Sequence, residues 1–344
     1  MTARLTIDLA ALTANYRSLA AIAPCGAVVK ANAYGLGAEH VVAALGSAGC
    51  QNFFVATANE AFELSLSANL YVFEGVLSDA VAREMVAQGV RPVINDAAQL
   101  DRWRRLGSGP AAIHLDTGMQ RLGFAPGSLA QTDIEGVEVS LLMTHYACAD
   151  TPDHPLNAVQ RDRFLAAAER LPGLPTSLAN SAGVLNGAHW VGDLGRPGIA
   201  LYGGNPHASA TNPMQPVASL EGQVVRIRDL PAGTPVGYGA TFLTERPSRI
   251  ATLGIGYADG VPRLLSNTGC VVIGGTRCPI VGRVTMDALH VDVTDCAAQT
   301  VQEGAWAQVI GETITVDEVA EHAQTIPYEI LTGLGQRPER RYVA

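Results

Sequence analysis

Between residues 26 and 200, about eight short apolar runs alternate with alanine-rich stretches of helical periodicity. This alternation narrows the possible folds more than any other feature of the chain. Strands separated by helical crossovers pair in parallel, and a series of about eight closes into a (β/α)8 barrel. The runs are GAVVKA, NFFVAT, NLYVFEG, RPVIND, AAIHLDTG, VSLLMTHY, TSLANS and WVGDLGRPG. Many end in polar residues: Lys30, Thr57, Asn95, Asp96, Asp116, His145, Asn180, Ser181 and Arg196. The C-terminal strand ends of such a barrel share one rim, where active sites lie, so these side chains are expected at a common mouth.

The texture changes after about residue 214. SLEGQVVRIRDL, GCVVIGGTRCPIVG, ALHVDVTD and AWAQVIG read as strands, with a Gly-Gly turn joining two apolar runs. Helical signals become scarce apart from TVDEVAEHA, where Thr315 and Glu318 have capping-box spacing. Two prolines and an asparagine break the pattern at 210–220. The expected organisation is therefore α/β plus β: a barrel over 1–214 and a mainly-β domain, a small barrel or sandwich, over 215–344. A chain of 344 residues with 48% hydrophobic content supports both cores.

Charge and composition exclude other classes. Acidic residues outnumber basic ones 32 to 23, and no basic run is interleaved with aromatics, which argues against nucleic acid as a partner. No apolar run approaches the roughly 18 residues needed to cross a membrane, and the N-terminus lacks the pattern of a signal peptide, so a cytoplasmic protein is expected. Cysteines 25, 50, 148, 270, 278 and 296 form no CxxC or Cys/His ligand spacing, so free thiols and no metal site are expected.

Lys30 closes the first apolar run in VVKANAYGLG. A lysine here can bury its stem and extend its charge to solvent. At a barrel rim, however, desolvation lowers the amine pKa from about 10.4 and makes it a nucleophile able to form a Schiff base with an aldehyde, pyridoxal phosphate above all. That chemistry demands a phosphate site, which barrels build from the loops after strands seven and eight. Here those loops contain ANSAG and RPGIALYG. Ser181 offers a hydroxyl, Gly198 and Ile199 offer amides where a helix can begin after Pro197, and Tyr34 adds a phenol.

Together VVKANAYGLG, HLDTGMQRLGF, MTHYACAD, LANSAG, RPGIALYG, VGYGATF, IGYADG, GRVTMDALHVDVT and PYEILTGLGQRPERRYV resemble the alanine racemases, over nearly the whole chain and in order. The resemblance implies an isomerase with pyridoxal 5′-phosphate as cofactor that interconverts L- and D-alanine with two bases, Lys30 and Tyr238. It places Arg196 against the pyridine nitrogen, where a guanidinium can only donate. It assigns His145 to support Arg196 or the cofactor ring, and Arg121 to the Tyr238 phenol and the substrate carboxylate. Tyr34, Ser181, Gly198, Ile199 and Tyr328 would hold the phosphate, while Tyr257, Met286 and Asp287 would line the substrate entrance. A head-to-tail homodimer with shared sites and a role in D-alanine biosynthesis, as a peptidoglycan precursor, are also implied.

Two positions depart from the family pattern. His114 stands where many members have a carbamylated lysine bracing the arginine, and Ser177 stands where a histidine is common. Three other readings compete: a racemase of broader specificity that includes serine, a non-catalytic pyridoxal-phosphate-binding protein, and a metal-dependent barrel hydrolase using His114, Asp116 and His145. The second would be expected to end near the barrel, and the third leaves the phosphate loops unexplained.

Overall fold

The computed structural model describes residues 2–64, 67–106, 109–207, 211–297 and 299–344. Strand β1 (Ala3–Asp8) alternates buried and half-buried side chains, and Asp8 then caps the helix Leu9–Ile22 by accepting the Ala11 amide at 2.8 Å. Seven strands follow: β2 (Ala27–Val28), β3 (Asn52–Val55), β4 (Asn69–Val72), β5 (Arg91–Ile94), β6 (Ala111–His114), β7 (Val139–Met143) and β8 (Thr176–Ser177). They form one parallel sheet in sequence order. Their short, nearly continuous apolar runs suit strands covered on both faces.

The eighth expected run is not a regular strand, because Gly195 and Pro197 interrupt it. It still closes the sheet. The Arg196 amide bonds to the Ala179 carbonyl on one side, while on the other Gly195 N bonds to Pro24 O and the amides of Gly26 and Val28 bond to the carbonyls of Gly195 and Pro197. The barrel expected from the alternation is therefore present, with its last stave an irregular ladder.

Several polar residues at the strand ends serve the backbone. Thr57, Asp96 and Asn180 are helix N-caps, accepting the amides of Glu60, Gln99 and Gly183. Asp116 accepts the amides of Gly118, Gln120 and Arg121, which folds the following loop onto the end of β6.

In the second unit, β9 (Ala218–Leu230) is long enough to pair with two sets of neighbours. A small hairpin, β10 (Pro235–Val236) and β11 (Phe242–Leu243), precedes β12 (Ser248–Leu253), β13 (Cys270–Ile273), β14 (Thr276–Val281), β15 (Leu289–Asp292) and β16 (Trp306–Ile310). The order β12-β15-β14-β13-β16-β9, with β9 also paired to β12, closes a ring, so the barrel alternative for this domain holds. Gly274 and Gly275, at φ of 56° and 83°, make the tight β13–β14 turn. Thr315 caps the helix Val316–His322, but Glu318 pairs with Arg277 instead of completing a capping box. A second helix, Pro327–Thr332, lies where none was expected.

Residues 1–11 were expected with the barrel, yet they cluster with 202–204 and 214–344, leaving 12–201 and 205–213 as the barrel unit. The cause is strand pairing: β1 lies between β9, antiparallel, and β17 (Glu339–Val343), parallel. Arg4 reinforces this with two hydrogen bonds to Glu221, at 2.6 and 2.9 Å. The expected boundary segment begins at residue 210, which lies outside the described residues.

Leu5 is fully buried in β1. Leu5→Ala is expected to cost about 3 kcal/mol, within the range for large-to-small core changes. Urea unfolding of the variant should show a lower midpoint with an unchanged slope.

Candidate active site

Lys30 stands directly after β2, and the chain behind it takes an unusual path. Ala31, Asn32, Ala33 and Tyr34 all have φ between 52° and 55°. They form one left-handed helical turn, in which Ala33 N bonds to Val29 O and Gly35 N to Ala31 O, both at 2.8 Å. Each such residue costs roughly 1–2 kcal/mol relative to the right-handed region. Side chains hold the turn at both ends: Glu60 accepts the Ala31 amide and Asn32 accepts the Ala38 amide, each at 2.7 Å. The turn swings the buried Tyr34 so that its hydroxyl lies against Gly198, where a Cβ would sit 2.2 Å from the phenolic oxygen. Only glycine fits there.

The loops after β8 and after the irregular stave are stitched together by Ser181. Its Oγ accepts the amides of Gly198 at 2.8 Å and Ala200 at 3.3 Å. The Gly198 amide is thus engaged by Ser181, while among the described residues no protein acceptor meets the Ile199 amide. The helix expected after Pro197 is a 3-10 turn, Ile199–Tyr202.

Arg196 is only 2% exposed, and among the described residues it has no carboxylate partner. Its terminal nitrogens donate to Ser177 Oγ, to Thr144 O at 2.5 Å and to Leu178 O at 3.3 Å. Nη2 also lies 3.5 Å from His145 Nδ1. Asp193, three residues before it in the sequence, accepts from the Thr176 amide and hydroxyl. Nε is buried with no partner. Burial pushes the guanidinium down to about 9, so it stays charged at neutral pH. An orphaned buried donor on such a cation fits a ligand acceptor, and the Tyr34–Gly198–Ser181 cradle with the Ile199 amide fits an anion. Lys30, Arg196 and this cradle therefore suit an aldehyde-bearing, phosphorylated aromatic cofactor such as pyridoxal phosphate.

The cations set the protonation of their neighbours. Burial, then Arg121, lowers the Lys30 amine below its ordinary value, against the opposing pull of Glu60. Burial, then Arg196 and Arg121, holds His145 well below the usual imidazole range. Burial and Arg196 push His114 down to about 4. A hydrogen-bond chain fixes the His114 tautomer. The Asn95 amide group donates to Phe73 O at 3.0 Å and Val93 O at 2.8 Å, so its oxygen must accept, and it lies 2.9 Å from His114 Nδ1. His114 therefore carries its proton on Nδ1 and leaves Nε2 as a neutral acceptor.

The β unit gathers a separate group. Tyr238 is 73% exposed on the β10–β11 hairpin loop. Tyr238, Tyr257, Met286 and Asp287 line one cavity of about 510 Å³. Arg263 and Arg283 also line it and were not anticipated. Arg283 packs on Gly239, where a Cβ would lie 3.1 Å from its guanidinium. The signal for Arg283 was its place in GRVTMD, next to residues already singled out; Arg263 carries none beyond charge. Tyr328 is half-buried in the helix Pro327–Thr332. Among the described residues no group of three or more His, Cys, Asp or Glu side chains is arranged to hold a metal, so His114, Asp116 and His145 do not make one.

A parallel barrel with a lysine at a strand end and an anion cradle beside a buried arginine is the arrangement of a pyridoxal-phosphate-binding barrel protein. Residues 7–206 match the family described as Alanine racemase, N-terminal domain, and residues 217–342 the one described as Alanine racemase, C-terminal domain. The chain is 45% identical to the alanine racemase of Rhodospirillum rubrum, over 99% of this chain and 96% of that one. It is also 45% identical to the catabolic alanine racemase of Agrobacterium fabrum, over 98% and 92%. Among solved structures, the alanine racemase of Bartonella henselae with covalently bound pyridoxal phosphate superposes with a TM-score of 0.93 at 40% identity, covering both chains fully. The chain belongs to the alanine racemase family.

Two imidazoles held neutral, buried His114 and half-buried His145, make the protein sensitive to acid. An unfolded histidine binds a proton below about 6.5, whereas His114 in the fold waits until about 4. The stability this contributes, roughly 3 kcal/mol for His114, is complete above pH 6.5 and is lost as pH falls towards 4. His114→Gln is expected to flatten the fall in stability between these values, measured by urea unfolding at a series of pH values. Nitrogen NMR of the wild type should show His114 protonated on Nδ1.

Proposed function

We infer that this chain is a pyridoxal-phosphate-dependent alanine racemase, an isomerase interconverting L- and D-alanine. The observation that carries the reading is the unpaired Nε of buried Arg196, in a barrel that also presents Lys30 and an anion cradle. When bound, pyridoxal phosphate supplies the electron sink that acidifies the Cα–H of the amino acid. In this reading Lys30 would hold it through its nucleophilic amine, Tyr34, Ser181, Gly198 and Ile199 would hold the phosphate and Arg196 the ring, with Tyr328 added at the phosphate by the family resemblance alone.

Each side chain has a definable task. Lowered basicity leaves more of Lys30 as free amine, both to attack an aldehyde and to take a proton from one face of Cα. Arg196 donates a hydrogen bond without giving up its proton, so the ring atom it faces is held but not protonated. His145, kept neutral, adds no further positive charge beside it. Arg121, exposed on the loop that Asp116 folds over β6, is suited to the substrate carboxylate. Tyr238 supplies the second base, for the opposite face of Cα. Tyr257, Met286 and Asp287 line the approach, and their cavity suits a small amino acid. Serine differs from alanine by one hydroxyl, which an apolar site rejects by only about a hundredfold, so it is the expected side substrate.

The functional unit in this reading is a homodimer, in which one copy's barrel is completed by the other copy's Tyr238. Exposure of Tyr238, Tyr257 and Met286, at 73%, 44% and 52%, supports it, since large apolar groups left open on one chain suit a surface covered by a second. No helix among the described residues is long and apolar enough to cross a membrane. We place the enzyme in the cytoplasm, without nucleic acid or membrane partners, where it forms D-alanine as a peptidoglycan precursor. One similar protein is named a catabolic racemase and another, from Pseudomonas aeruginosa, a biosynthetic one. Because racemisation runs both ways, the site chemistry serves either direction.

Incubation of the cofactor-loaded protein with L-alanine in heavy water should yield D-alanine deuterated at Cα, read by chiral chromatography with mass detection. Unlabelled L-alanine with bound cofactor would overturn the reading. Tyr238→Phe is expected to slow proton removal from L-alanine by about 10²–10⁴-fold, and far more than removal from D-alanine. Equal loss of deuterium exchange from both enantiomers would remove Tyr238 from this role. Mixing Lys30→Ala and Tyr238→Phe chains should restore about a quarter of the wild-type activity, since half the dimers are mixed and each holds one intact site. No gain in well-mixed heterodimers would exclude shared sites.

A further inference from the structure

The sequence stretch GLGQRPERRYV holds an arginine that the reaction above does not use. From its own turn Arg337 reaches two other segments of the β unit. Its Nε and Nη2 donate to the two carboxylate oxygens of Asp259, at 2.8 and 2.7 Å. Its Nη1 donates to Asp287 Oδ1 at 2.5 Å, and Nη2 also lies 3.4 Å from the Met286 carbonyl. All three guanidinium nitrogens are occupied, in the fork geometry that lysine cannot reproduce.

The two carboxylates differ in burial. The Asp259 side chain is 3% exposed and also accepts the Gly256 amide at 2.9 Å; Asp287 is 66% exposed. Asp259 therefore depends on Arg337 for its charge partner, while the contact with Asp287 is solvated and weak. The segments that carry these groups are in backbone contact. Tyr257 N bonds to Thr285 O at 3.0 Å and Ala258 N to Met286 O at 3.1 Å. A Cβ at Gly256 would lie 2.3 Å from Thr285 O, and one at Gly335 would lie 2.4 Å from Ala258 O. Gly260, at φ 103°, leaves only 2.8 Å between such an atom and Leu334 Cα. Three turns thus meet with no side chain between them, and Arg337 ties them together from outside.

Tyr257 rises from the first of these turns and Met286 from the second, and both line the cavity of Tyr238. We propose that Arg337 is a positioning residue for the racemisation reaction: by clamping Asp259 and Asp287 together, it sets the spacing of Tyr257 and Met286 and so governs which amino acids enter. This inference rests on the reading that Tyr257 and Met286 line the substrate's path.

The test uses the cofactor-loaded enzyme. Arg337→Lys keeps the charge but loses the fork. It is expected to raise the KM for L-alanine about fivefold, hold kcat within about twofold, and increase the kcat/KM for L-methionine relative to L-alanine. Asp287→Asn opens only the solvated half and should shift the same quantities by less. The double variant should shift these quantities by less than the sum of the two single variants, because part of the effect of Asp287 runs through the guanidinium. Unchanged KM and unchanged discrimination in a folded Arg337→Lys enzyme would overturn the proposal, as would a loss confined to kcat. If Arg337→Lys fails to load cofactor, Asp287→Asn decides by the same two readouts. Met286→Ala separates the two ideas. If it shifts KM and discrimination while the clamp variants do not, the clamp proposal alone fails; if it shifts neither, the path reading fails and the proposal with it.

Discussion

A guanidinium buried without a carboxylate is the constraint around which the barrel interior is arranged. Arg196 remains charged at neutral pH, and every basic group near it adapts: His145 and His114 stay neutral, while Lys30 is weakened by burial and by Arg121. The acids at the rim oppose this only in part: Glu60 acts against the lowering at Lys30 and Asp116 against that at His114, and in both cases burial and the cations prevail. Backbone amides, burial and fixed cations leave the cavity an electrostatic complement to phosphate and carboxylate. Burial first, and the cations after it, leave an amine nucleophilic and an imidazole inert within one ring of strands.

Geometry at Lys30 depends on a different economy. Four successive non-glycine residues in the left-handed region would not persist in an isolated peptide. Here the turn is bonded at both ends, and its product is the close approach of a tyrosine hydroxyl to a glycine backbone. The β unit uses a related device without the same strain. Its turns at 256–260, 285–287 and 333–337 meet through glycines, then are held by one arginine fork. In both places a loop that carries reactive or selective side chains is made rigid by charge-assisted bonds.

Seven of the eight barrel strands could be read from their apolar runs, because burial on both faces writes a simple pattern. The eighth could be placed but not typed: Gly195 and Pro197 disguise a segment whose only strand-like property is its ladder of hydrogen bonds. The alternation of Ala3, Leu5 and Ile7 marks β1 as a strand, yet nothing local says that its partners lie at 218–222 and 339–343. Lys30, Ser181 and Gly198 were legible as chemistry because each sits at a strand end or in its loop. Thr57, Asp96 and Asn180 share that placement and are helix caps, which shows that position alone does not separate catalysis from capping. Asn95, Arg283 and Arg337 act through contacts that no spacing encodes.

The pairing of β1 with β9 and β17 has a consequence for synthesis of the chain. Arg4 meets Glu221 across 217 positions, and β1 meets its other neighbour only when Glu339–Val343 exists. The barrel, whose residues fall within 12–213, has every strand partner in hand long before that. In topological terms the barrel is an insertion into the β unit, after its first strand. As the polypeptide emerges, β1 must wait with both edges unpaired while an entire domain folds behind it, and then with one edge unpaired until β17 arrives. Lys30 is therefore in place in a closed barrel before the ring that carries Tyr238 can close, so in the proposed two-base reading the order of folding is also the order in which the two bases are assembled.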